Sequence, residues 1–416
     1  MEIQSEAYAR KRYVMDNLFE MIRKQVMEKM DYSRELTDEE IEELILQEIA
    51  LSTRDLHLSV KEKRQLHKQV FHSLRKLDIL QELVDDTQIT EIMVNGPKHI
   101  FYEKNGVIYQ SPLEFSSEEK MQDVIQQIVA RHNRVVNQSS PIVDTRLEDG
   151  SRVNIVLSPI SIEGSAISIR KFPKEPIYME ELIKKDSISP EAANVLKILI
   201  ESRYSLFISG GTSSGKTTFL NALSQFIPKD ERIITIEDSA ELQIKGIPNL
   251  VRLETRNANA EGQKAIRIRE LIHSALRMRP DRIIVGECRG AEAFDMLQAM
   301  NTGHDGSLST GHANSCKDMI NRLEMMVLMG MDLPIAAIRQ QIASGIDIIV
   351  HLGRLRDKSR KVLDIVELEG ISDGEIQLNP LFHREPFGGE LQAVGKLKHT
   401  WKLQSAGFRP EDLYGL

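Results

Sequence analysis

An octapeptide in the second half of the chain has the residue types and spacing of a phosphate-binding loop. Residues 210–217 read Gly-Gly-Thr-Ser-Ser-Gly-Lys-Thr and fit the pattern G-x-x-x-x-G-K-[ST]. Small residues let successive backbone N–H groups turn toward phosphate oxygens, and a following helix N-terminus adds partial positive charge. We expect Lys216 to reach the β- and γ-phosphates of ATP and the Thr217 hydroxyl to bind Mg²⁺. The predicted nucleotide-binding residues of this segment are Gly210, Gly211, Thr212, Ser213, Ser214, Gly215, Lys216, Thr217 and Thr218.

The residues on either side of this loop predict the strand and the helix that such a loop needs. Leu206 to Ser209 form a short apolar run typical of a buried strand, and Thr218 to Leu223 continue as a helix. With both flanks in place, a phosphate site explains the segment better than a chance glycine-rich turn. Binding alone does not cut a phosphate bond, so hydrolysis requires acidic residues nearby.

Acidic residues follow two predicted strands downstream of the loop. The apolar strand 282–285 leads to Glu287. The strand 233–236 is followed by Glu237, Asp238 and Glu241. Ligands of open α/β sheets bind beyond the carboxyl ends of the strands, where carboxylates hold the Mg²⁺ shell or orient an attacking water. Any one of these acids alone would be interpreted as a solvated loop charge. Their shared placement favours a catalytic role.

Two histidines lie at the ends of the segment 306–310, which we expect to lie beside the strand that leads to Glu287. His304 precedes the segment and His312 follows it. We predict that both contact the nucleotide site, through a hydrogen bond to the γ-phosphate or to a catalytic glutamate. The alternative is a pair of structural histidines with satisfied hydrogen bonds. A zinc site is disfavoured, because neither histidine has clustered Cys or Asp partners in the sequence.

The first part of the chain predicts a helical extension followed by an α+β domain. Residues 1–86 have apolar residues at helical spacing and two capping boxes, Thr37 with Glu40 and Ser59 with Glu62. Residues 87–172 mix strands with one helix, whose apolar face is predicted to be Met121, Val124, Ile125 and Ile128. The pair Asn105-Gly106 predicts a tight β-hairpin.

The second part of the chain predicts a doubly wound α/β domain. Residues 173–188 are interpreted as a linker because two prolines disfavour helix in the residues before them. From 189 to 370, strands and helices alternate, beginning with a helix that Ser189 caps and Pro190 opens. Residues 371–416 are predicted to be a tail of mixed strands and loops.

Composition excludes several classes of protein. The 416 residues include 54 Lys+Arg and 62 Asp+Glu, so the net charge is −8 and disfavours nucleic-acid binding through bulk positive charge. Cys288 and Cys316 cannot form a disulfide framework or a four-cysteine zinc site. No apolar run approaches the roughly 18 residues of a membrane span, and the first 20 residues lack the apolar core of a signal peptide. We therefore expect a cytoplasmic protein that contacts a membrane only through partners.

Four segments together resemble the type II/type IV secretion ATPase superfamily. They match its Walker A, Asp box, Walker B and His box, at residues 210–217, 235–242, 277–287 and 303–315. The segment Thr90 to Gly96 and the helical extension before it are similar to the tight-adherence (Tad) pilus assembly ATPase branch. The resemblance covers roughly residues 75–370. The extension before residue 75 is similar to that branch only in its general helical character.

The resemblance implies a hexameric ring of identical subunits. Each would have an N-terminal domain and a RecA-like C-terminal domain joined by a mobile linker, with ATP bound between them. By resemblance, Glu241 is the catalytic glutamate and Glu287 the Walker B acid. Arg152 and Arg170 match the arginines that reach the phosphates, where a planar cation suits developing charge. The alternative interpretation of these two is a pair of surface arginines on strands.

One departure from the family pattern lies inside the loop. Ser213 stands where many members carry glycine, which would slow turnover, or cost little if the position adopts a negative φ.

The function that these residues and the resemblance predict is a Mg²⁺-dependent ATPase motor that drives pilus assembly or protein secretion through an inner-membrane platform. One alternative is a nucleotide-dependent scaffold or switch with little turnover. A second alternative is a RecA-like enzyme that acts on nucleic acid, which the net negative charge and the resemblance both disfavour.

Overall fold

The computed structural model describes residues 2–31, 33, 34, 36–54, 56, 58–131, 134–172, 175–256, 264–385 and 388–413. Contacts divide the chain into two compact units, Met1–Pro173 and Lys174–Leu416. Each unit buries apolar residues of its own. No helix among the described residues is both long and apolar enough to span a bilayer.

The first unit begins with helices that pack on one another. These are α1 (Glu2–Lys29), α2 (Asp38–Ser52) and α3 (Val60–Arg75). Both predicted capping boxes are confirmed: Thr37 and Ser59 each accept a backbone hydrogen bond from the glutamate three residues later, whose side chain accepts one in return. The shared core of these helices contains Leu18, Ile22, Val26, Ile41, Ile45, Ile49, Leu66 and Val70.

The remainder of the first unit is an antiparallel sheet with a helix. After a short 3₁₀ turn (Asp78–Leu80) and helix α4 (Gln81–Asp85), the strands are β1 (Ile89–Asn95), β2 (Ile100–Lys104), β3 (Val107–Gln110), β4 (Ile142–Arg146), β5 (Arg152–Val156) and β6 (Ala166–Arg170). In the described part of this unit they form a six-stranded sheet in the order β3-β2-β1-β6-β5-β4.

Local signals in this sheet are confirmed. Asn105 and Gly106 join β2 to β3 with φ angles of 54° and 76°, the left-handed values that a tight hairpin turn needs. Helix α5 (Glu118–Ala130) buries Met121, Val124, Ile125 and Ile128, the predicted apolar face.

Two helices precede the sheet of the second unit. Helix α6 (Met179–Lys184) lies inside the segment 173–188 that was predicted to be a linker, and Pro173 and Lys174 lie outside the described residues. Helix α7 (Pro190–Glu201) begins as predicted, because the Ser189 side chain accepts a hydrogen bond from the backbone N–H of Ala192.

A mixed sheet forms the centre of the second unit. Its strands are β7 (Leu206–Gly210), β8 (Ile233–Glu237), β9 (Leu250–Glu254), β10 (Arg282–Val285), β11 (Leu308–Gly311), β12 (Ile348–Arg354), β13 (Arg360–Ser372), β14 (Glu375–His383) and β15 (Gln392–Ala393). Among the described residues the order is β15-β14-β13-β12-β7-β11-β10-β8-β9. The strands from β12 to β9 in this order run parallel, and β13 to β15 are antiparallel.

Helices cover both faces of this sheet, which confirms the α/β prediction. They are α8 (Lys216–Ser224), α9 (Ile268–Ala275), α10 (Glu292–Asn301), α11 (Cys316–Leu328), α12 (Ile335–Gly345) and α13 (Trp401–Ser405). The core on one face contains Leu196 of α7 and Leu220 of α8. The core on the other face contains Met296 of α10 and Leu323 of α11.

The chain after residue 370 continues the sheet and is not a separate tail. The boundary predicted at 370 falls inside β13, which pairs with β14. The buried carboxylate of Glu367 accepts hydrogen bonds from Asn379 Nδ2 and from the backbone N–H groups of Lys398 and His399, at 2.8–2.9 Å. Strand pairing over long sequence distances, which local composition does not reveal, therefore holds this segment on the second unit.

Candidate nucleotide-binding site

The loop between β7 and α8 requires glycine at two positions. A Cβ atom on Gly210 would lie 2.5 Å from the carbonyl oxygen of Leu352 and 2.5 Å from Ser214 Oγ, closer than real contacts allow. Gly215 precedes the first residue of α8 with a φ of 94°, in the left-handed region. The glycines of the motif therefore allow the backbone to turn tightly from the end of a buried strand into a helix.

Ser213 has a left-handed backbone conformation. Its φ is 58°. The condition under which serine in place of glycine would cost little, a negative φ, is therefore not met. An L-residue in this region is disfavoured by roughly 1–2 kcal/mol relative to the right-handed helical conformation. The loop keeps a shape that suits glycine although the residue is serine.

Lys216 turns back over the loop. Its side chain is 8% exposed, and Nζ donates hydrogen bonds to the carbonyl oxygens of Gly210 at 3.0 Å and Gly211 at 2.9 Å. Nζ also lies 3.2 Å from His312 Nδ1. The ammonium group is thus held at the centre of the loop, where the motif predicts a phosphate-binding cation.

His312 connects this lysine to Glu287. His312 Nε2 lies 2.7 Å from Glu287 Oε1. Burial, and next the charge of Lys216, lower the pKa of His312. The His312–Glu287 approach is a close contact and not an aligned hydrogen bond, because Glu287 Oε1 is buried and has no hydrogen-bond partner among the described residues. A neutral imidazole can accept a hydrogen bond from the Lys216 ammonium at Nδ1. The structure thus brings His312 within contact distance of Glu287, while the hydrogen bond predicted for this histidine stays a prediction.

Arg289 holds the other oxygen of the same glutamate. Its Nη2 donates to Glu287 Oε2. That hydrogen bond, followed by the charges of Glu287, Asp238 and Glu241, raises the pKa of Arg289. The guanidinium therefore lies within electrostatic reach of the acids that follow β10 and β8. This arginine was not among the residues predicted from the sequence. The available signal was a basic residue two positions after the strand-end glutamate.

Glu237 shapes the segment that presents Glu241. It is the last residue of β8 and is buried, and its Oε2 accepts hydrogen bonds from the backbone N–H groups of Glu241 at 2.7 Å and Leu242 at 2.8 Å. Burial raises the pKa of Glu237 to about 7, against these two hydrogen bonds, which lower it. Of the predicted acidic cluster, Glu237 is thus a buried support, whereas Asp238 is exposed and Glu241 half-buried.

A second contact ties this segment to the helix that follows the loop. The backbone N–H of Gln243 donates to Asn221 Oδ1 of α8 at 2.9 Å. The residues that carry Glu241 are therefore attached both to the end of β8 and to α8, the helix that starts at Lys216.

His304 lies at the opposite edge of the sheet from His312. Strand β11 runs parallel to β7, with Gly311 opposite Ser209, so the residue after β11 lies at the loop edge and the residues before it lie at the other edge. His304 Nδ1 is 3.1 Å from the carbonyl oxygen of Ala299, at the end of α10. The structure thus brings His312 to the loop and does not bring His304 there.

Arg152 and Arg170 belong to the first unit and lie side by side. They are directly paired residues on β5 and β6, so their side chains leave the same face of that sheet. Arg152 Nη2 lies 3.8 Å from Asp144 Oδ1, and Arg170 is exposed. Like charges directly opposite each other destabilise a sheet. Acidic neighbours accompany both arginines, since Glu91 of β1 is paired with Arg170 on its other side, and the predicted role of the pair at the phosphates stays a prediction.

The second unit's residues fit a magnesium nucleotide. At the carboxyl ends of β7, β11, β10 and β8 they place a phosphate-type loop, an ammonium, an imidazole and carboxylates along one sheet edge. Ser214 Oγ is buried and has no hydrogen-bond partner among the described residues. The half-buried Thr217 hydroxyl, in the first turn of α8, is the predicted metal ligand in this arrangement.

Comparisons with known proteins agree with this geometry. Residues 73–387 match the family of Type II/IV secretion system proteins. A putative conjugal transfer protein of Mycobacterium tuberculosis (strain CDC 1551 / Oshkosh) is 33% identical over 313 residues, which cover 74% of this chain and 88% of that protein. The Type IV secretion system protein VirB11 of Brucella suis biovar 1 (strain 1330) is 31% identical over 306 residues, covering 66% of this chain and 84% of that protein.

A solved structure shows the same fold. The X-ray structure of the Legionella pneumophila ATPase DotB superposes with a TM-score of 0.51 at 21% identity, covering 69% of this chain and 79% of that chain. The family match spans most of the chain and includes all four boxes. The chain therefore belongs to the type II/IV secretion system family, and the prediction that it is an ATPase of this family is confirmed.

Proposed function

We propose that the chain is a Mg²⁺-dependent ATPase motor that works as a ring of identical subunits. The contacts from Lys216 through His312 to Glu287 carry this proposal, because they join the phosphate-binding cation to a strand-end carboxylate. Through this series of side-chain contacts, a change at the terminal phosphate would alter the position and the electrostatic surroundings of the Glu287 carboxylate. A loop that merely binds phosphate has no need of these contacts.

The chain's own residues divide the work of hydrolysis. Backbone N–H groups of the loop and Lys216 bind the phosphates, and Thr217 would hold the metal ion, which would neutralise charge on the phosphate oxygens. Glu241 orients the attacking water and accepts its proton. Glu287, held by a hydrogen bond from Arg289 and in close contact with His312, would support the metal shell. Arg152 and Arg170 supply positive charge to the phosphoryl group as it is transferred.

The proposed biological role is to power pilus assembly or protein secretion through an inner-membrane platform. The family match and the relatives named for conjugal transfer and type IV secretion support a role of this class. Within the family we favour the tight-adherence pilus branch, from the segment Thr90 to Gly96. The ring would be a hexamer on the cytoplasmic side of the membrane, with ATP bound between the two domains.

Turnover and binding of ATP, measured separately, test the site. Lys216→Ala should lose both. Glu241→Gln and Glu287→Gln should keep ATP affinity within a few-fold while turnover falls by about 10²-fold or more, since each removes one carboxylate and little volume. Asp373→Asn is a matched control in the β13–β14 turn, where asparagine tolerates the left-handed φ of 53°.

The outcome also separates the motor from the alternative scaffold or switch. A scaffold would bind ATP through Lys216 and lose nothing in Glu241→Gln. Wild-type turnover in Lys216→Ala would refute the site itself. Native mass measurement with a non-hydrolysable ATP analogue tests the ring: six copies of 47.3 kDa give a particle of about 284 kDa.

A further inference from the structure

A hairpin rich in basic residues stands next to the phosphate-binding loop. Strand β12 runs parallel to β7, with Leu352 opposite Gly210. The chain then continues beyond that level to Arg354, turns, and returns at Arg360, which is paired with Arg354. The tip of the β12–β13 hairpin therefore projects from the same edge of the sheet as the loop.

Arg360 points toward the first turn of α8. Val362, two residues later on β13, is buried in the core that contains Leu220 of α8, and side chains two apart on a strand leave the same face. A Cβ atom on Gly215 would lie 3.4 Å from Arg360 Cδ. The aliphatic stem of Arg360 thus passes against the glycine that precedes α8. Within the described part of the chain its guanidinium, which is exposed, has no hydrogen-bond or ion-pair partner.

The order of strands sets the direction in which a bound nucleotide must run. Glu287 and Glu241 follow β10 and β8, which lie on one side of β7 beyond β11. A terminal phosphate within reach of Lys216, His312 and Glu287 lies on that side. We therefore expect the nucleoside at the other end of the triphosphate to leave the loop on the opposite side of β7, toward β12 and β13, where Arg360 lies.

We propose that Arg360 binds the nucleoside end of ATP, with its planar guanidinium against the purine base. This inference rests on the proposed nucleotide site and adds a residue to it. A guanidinium stacks on aromatic rings better than an ammonium does, because it is flat and weakly hydrated. Because the aliphatic part of the Arg360 side chain packs against Gly215, the side chain begins beside the loop.

Affinities for magnesium ATP and for magnesium tripolyphosphate, which has no nucleoside, test this contact. We expect Arg360→Ala to weaken ATP binding by roughly five- to tenfold, in the range of a cation–π contact, and to leave tripolyphosphate affinity within twofold. Arg360→Lys should resemble Arg360→Ala for ATP, since it keeps the charge and loses the plane. Arg356→Ala, an exposed arginine in the same hairpin tip, is the matched control and should bind both ligands as the wild type does.

Unchanged ATP affinity in Arg360→Ala would overturn the inference, and so would an equal loss for both ligands, which would indicate a phosphate contact. If tripolyphosphate binds the wild type too weakly to measure, the ratio of ATP to CTP affinity replaces it. That ratio should fall in Arg360→Ala, and an unchanged ratio refutes the base contact. The Lys216→Ala variant distinguishes failure of the Arg360 contact from failure of the nucleotide site as a whole. Loss of ATP binding there with none in Arg360→Ala refutes only the Arg360 contact, whereas binding retained in Lys216→Ala refutes the site.

Discussion

The two ends of strand β8 carry buried glutamates with opposite surroundings. Glu231, just before the strand, is 4% exposed, and its two oxygens accept hydrogen bonds from Arg282 and from Arg203. Glu237, at the other end, is 3% exposed. Its Oε2 accepts two backbone hydrogen bonds, whereas its buried Oε1 has no partner among the described residues.

The contrast separates a sheet edge whose buried carboxylate is paired with a cation from one whose buried carboxylate is not. At the amino end, a fully buried arginine cancels the negative charge, so the carboxylate serves the fold. At the carboxyl end, burial raises the pKa of Glu237 to about 7, because the two backbone hydrogen bonds and the more distant charge of Arg252 offset the burial only in part. Substitutions at both ends of the strand test whether this division holds.

The largest effect should follow from removing the cation at the amino end. Arg282→Met leaves Glu231 buried with Arg203 as its remaining guanidinium partner, and we expect the free energy of unfolding to fall by about 3–5 kcal/mol. Urea unfolding measures this. The double variant Arg282→Met with Glu231→Gln should recover part of the loss, because no uncompensated charge remains. A loss below about 1 kcal/mol in the single variant would show that the amino end does not depend on this pair.

At the carboxyl end, the effect should depend on pH. Because the pKa of Glu237 is raised from its ordinary 4.5 to about 7, the folded state binds the proton more tightly than the unfolded chain does. The stabilisation is complete below pH 4.5 and is lost as pH rises through 7. Relative to Glu237→Gln, the wild type should lose up to about 3 kcal/mol of unfolding free energy between pH 4.5 and 8.

Unfolding free energies of the wild type and of Glu237→Gln at several pH values provide the measurement. The substituted side chain keeps an acceptor oxygen for the backbone N–H groups of Glu241 and Leu242, so the segment can retain its shape. Parallel curves for the two proteins would mean that the carboxylate is as well stabilised as Glu231, and the contrast between the ends would fail.

The two histidines extend the comparison to strand β11. His312→Ala removes the group between Lys216 and Glu287, and we expect ATP turnover to fall by about 10- to 100-fold, as for other supporting partners of catalytic groups. His304→Ala, at the opposite edge, should change turnover of the folded protein less than twofold. Equal losses in the two variants would contradict the assignment of reactivity to one edge.

The smallest effect is expected inside the loop. Ser213→Gly relieves the left-handed φ of 58° but increases the freedom of the unfolded chain, so stability should change by less than about 1 kcal/mol. Ser213→Val places a β-branched residue in the same conformation and should destabilise the protein by more. Thermal unfolding of both variants measures the difference, and a valine variant as stable as the glycine variant would indicate that the loop readily changes its backbone conformation.

Much of the fold could be predicted because its signals are local. The capping boxes at Thr37 and Ser59, the turn at Asn105-Gly106 and the phosphate loop with its flanks each depend on a few neighbouring residues. The prediction that the segment after His304 lies beside the Glu287 strand was also confirmed, since β11 pairs with β10.

What could not be predicted depends on strand direction and long-range pairing. His304 and His312 look equivalent in sequence, yet a parallel strand between them sends them to opposite edges. Glu237 and Glu241 look like one acidic cluster, yet only burial distinguishes the support from the more exposed acids. The strands beyond residue 370 join the sheet through partners far away in the chain, which periodicity does not identify.

The hydrogen bond between Gln243 and Asn221 has a mechanical consequence. Asn221 lies little more than one turn along α8 from Lys216, so the same rigid helix holds the ammonium at one point and the Glu241 segment at another. Any shift or tilt of that helix which preserves the bond moves both together. Tightening of the loop around an anion would thus reposition the carboxylate of Glu241 in the same motion, with no separate signal needed.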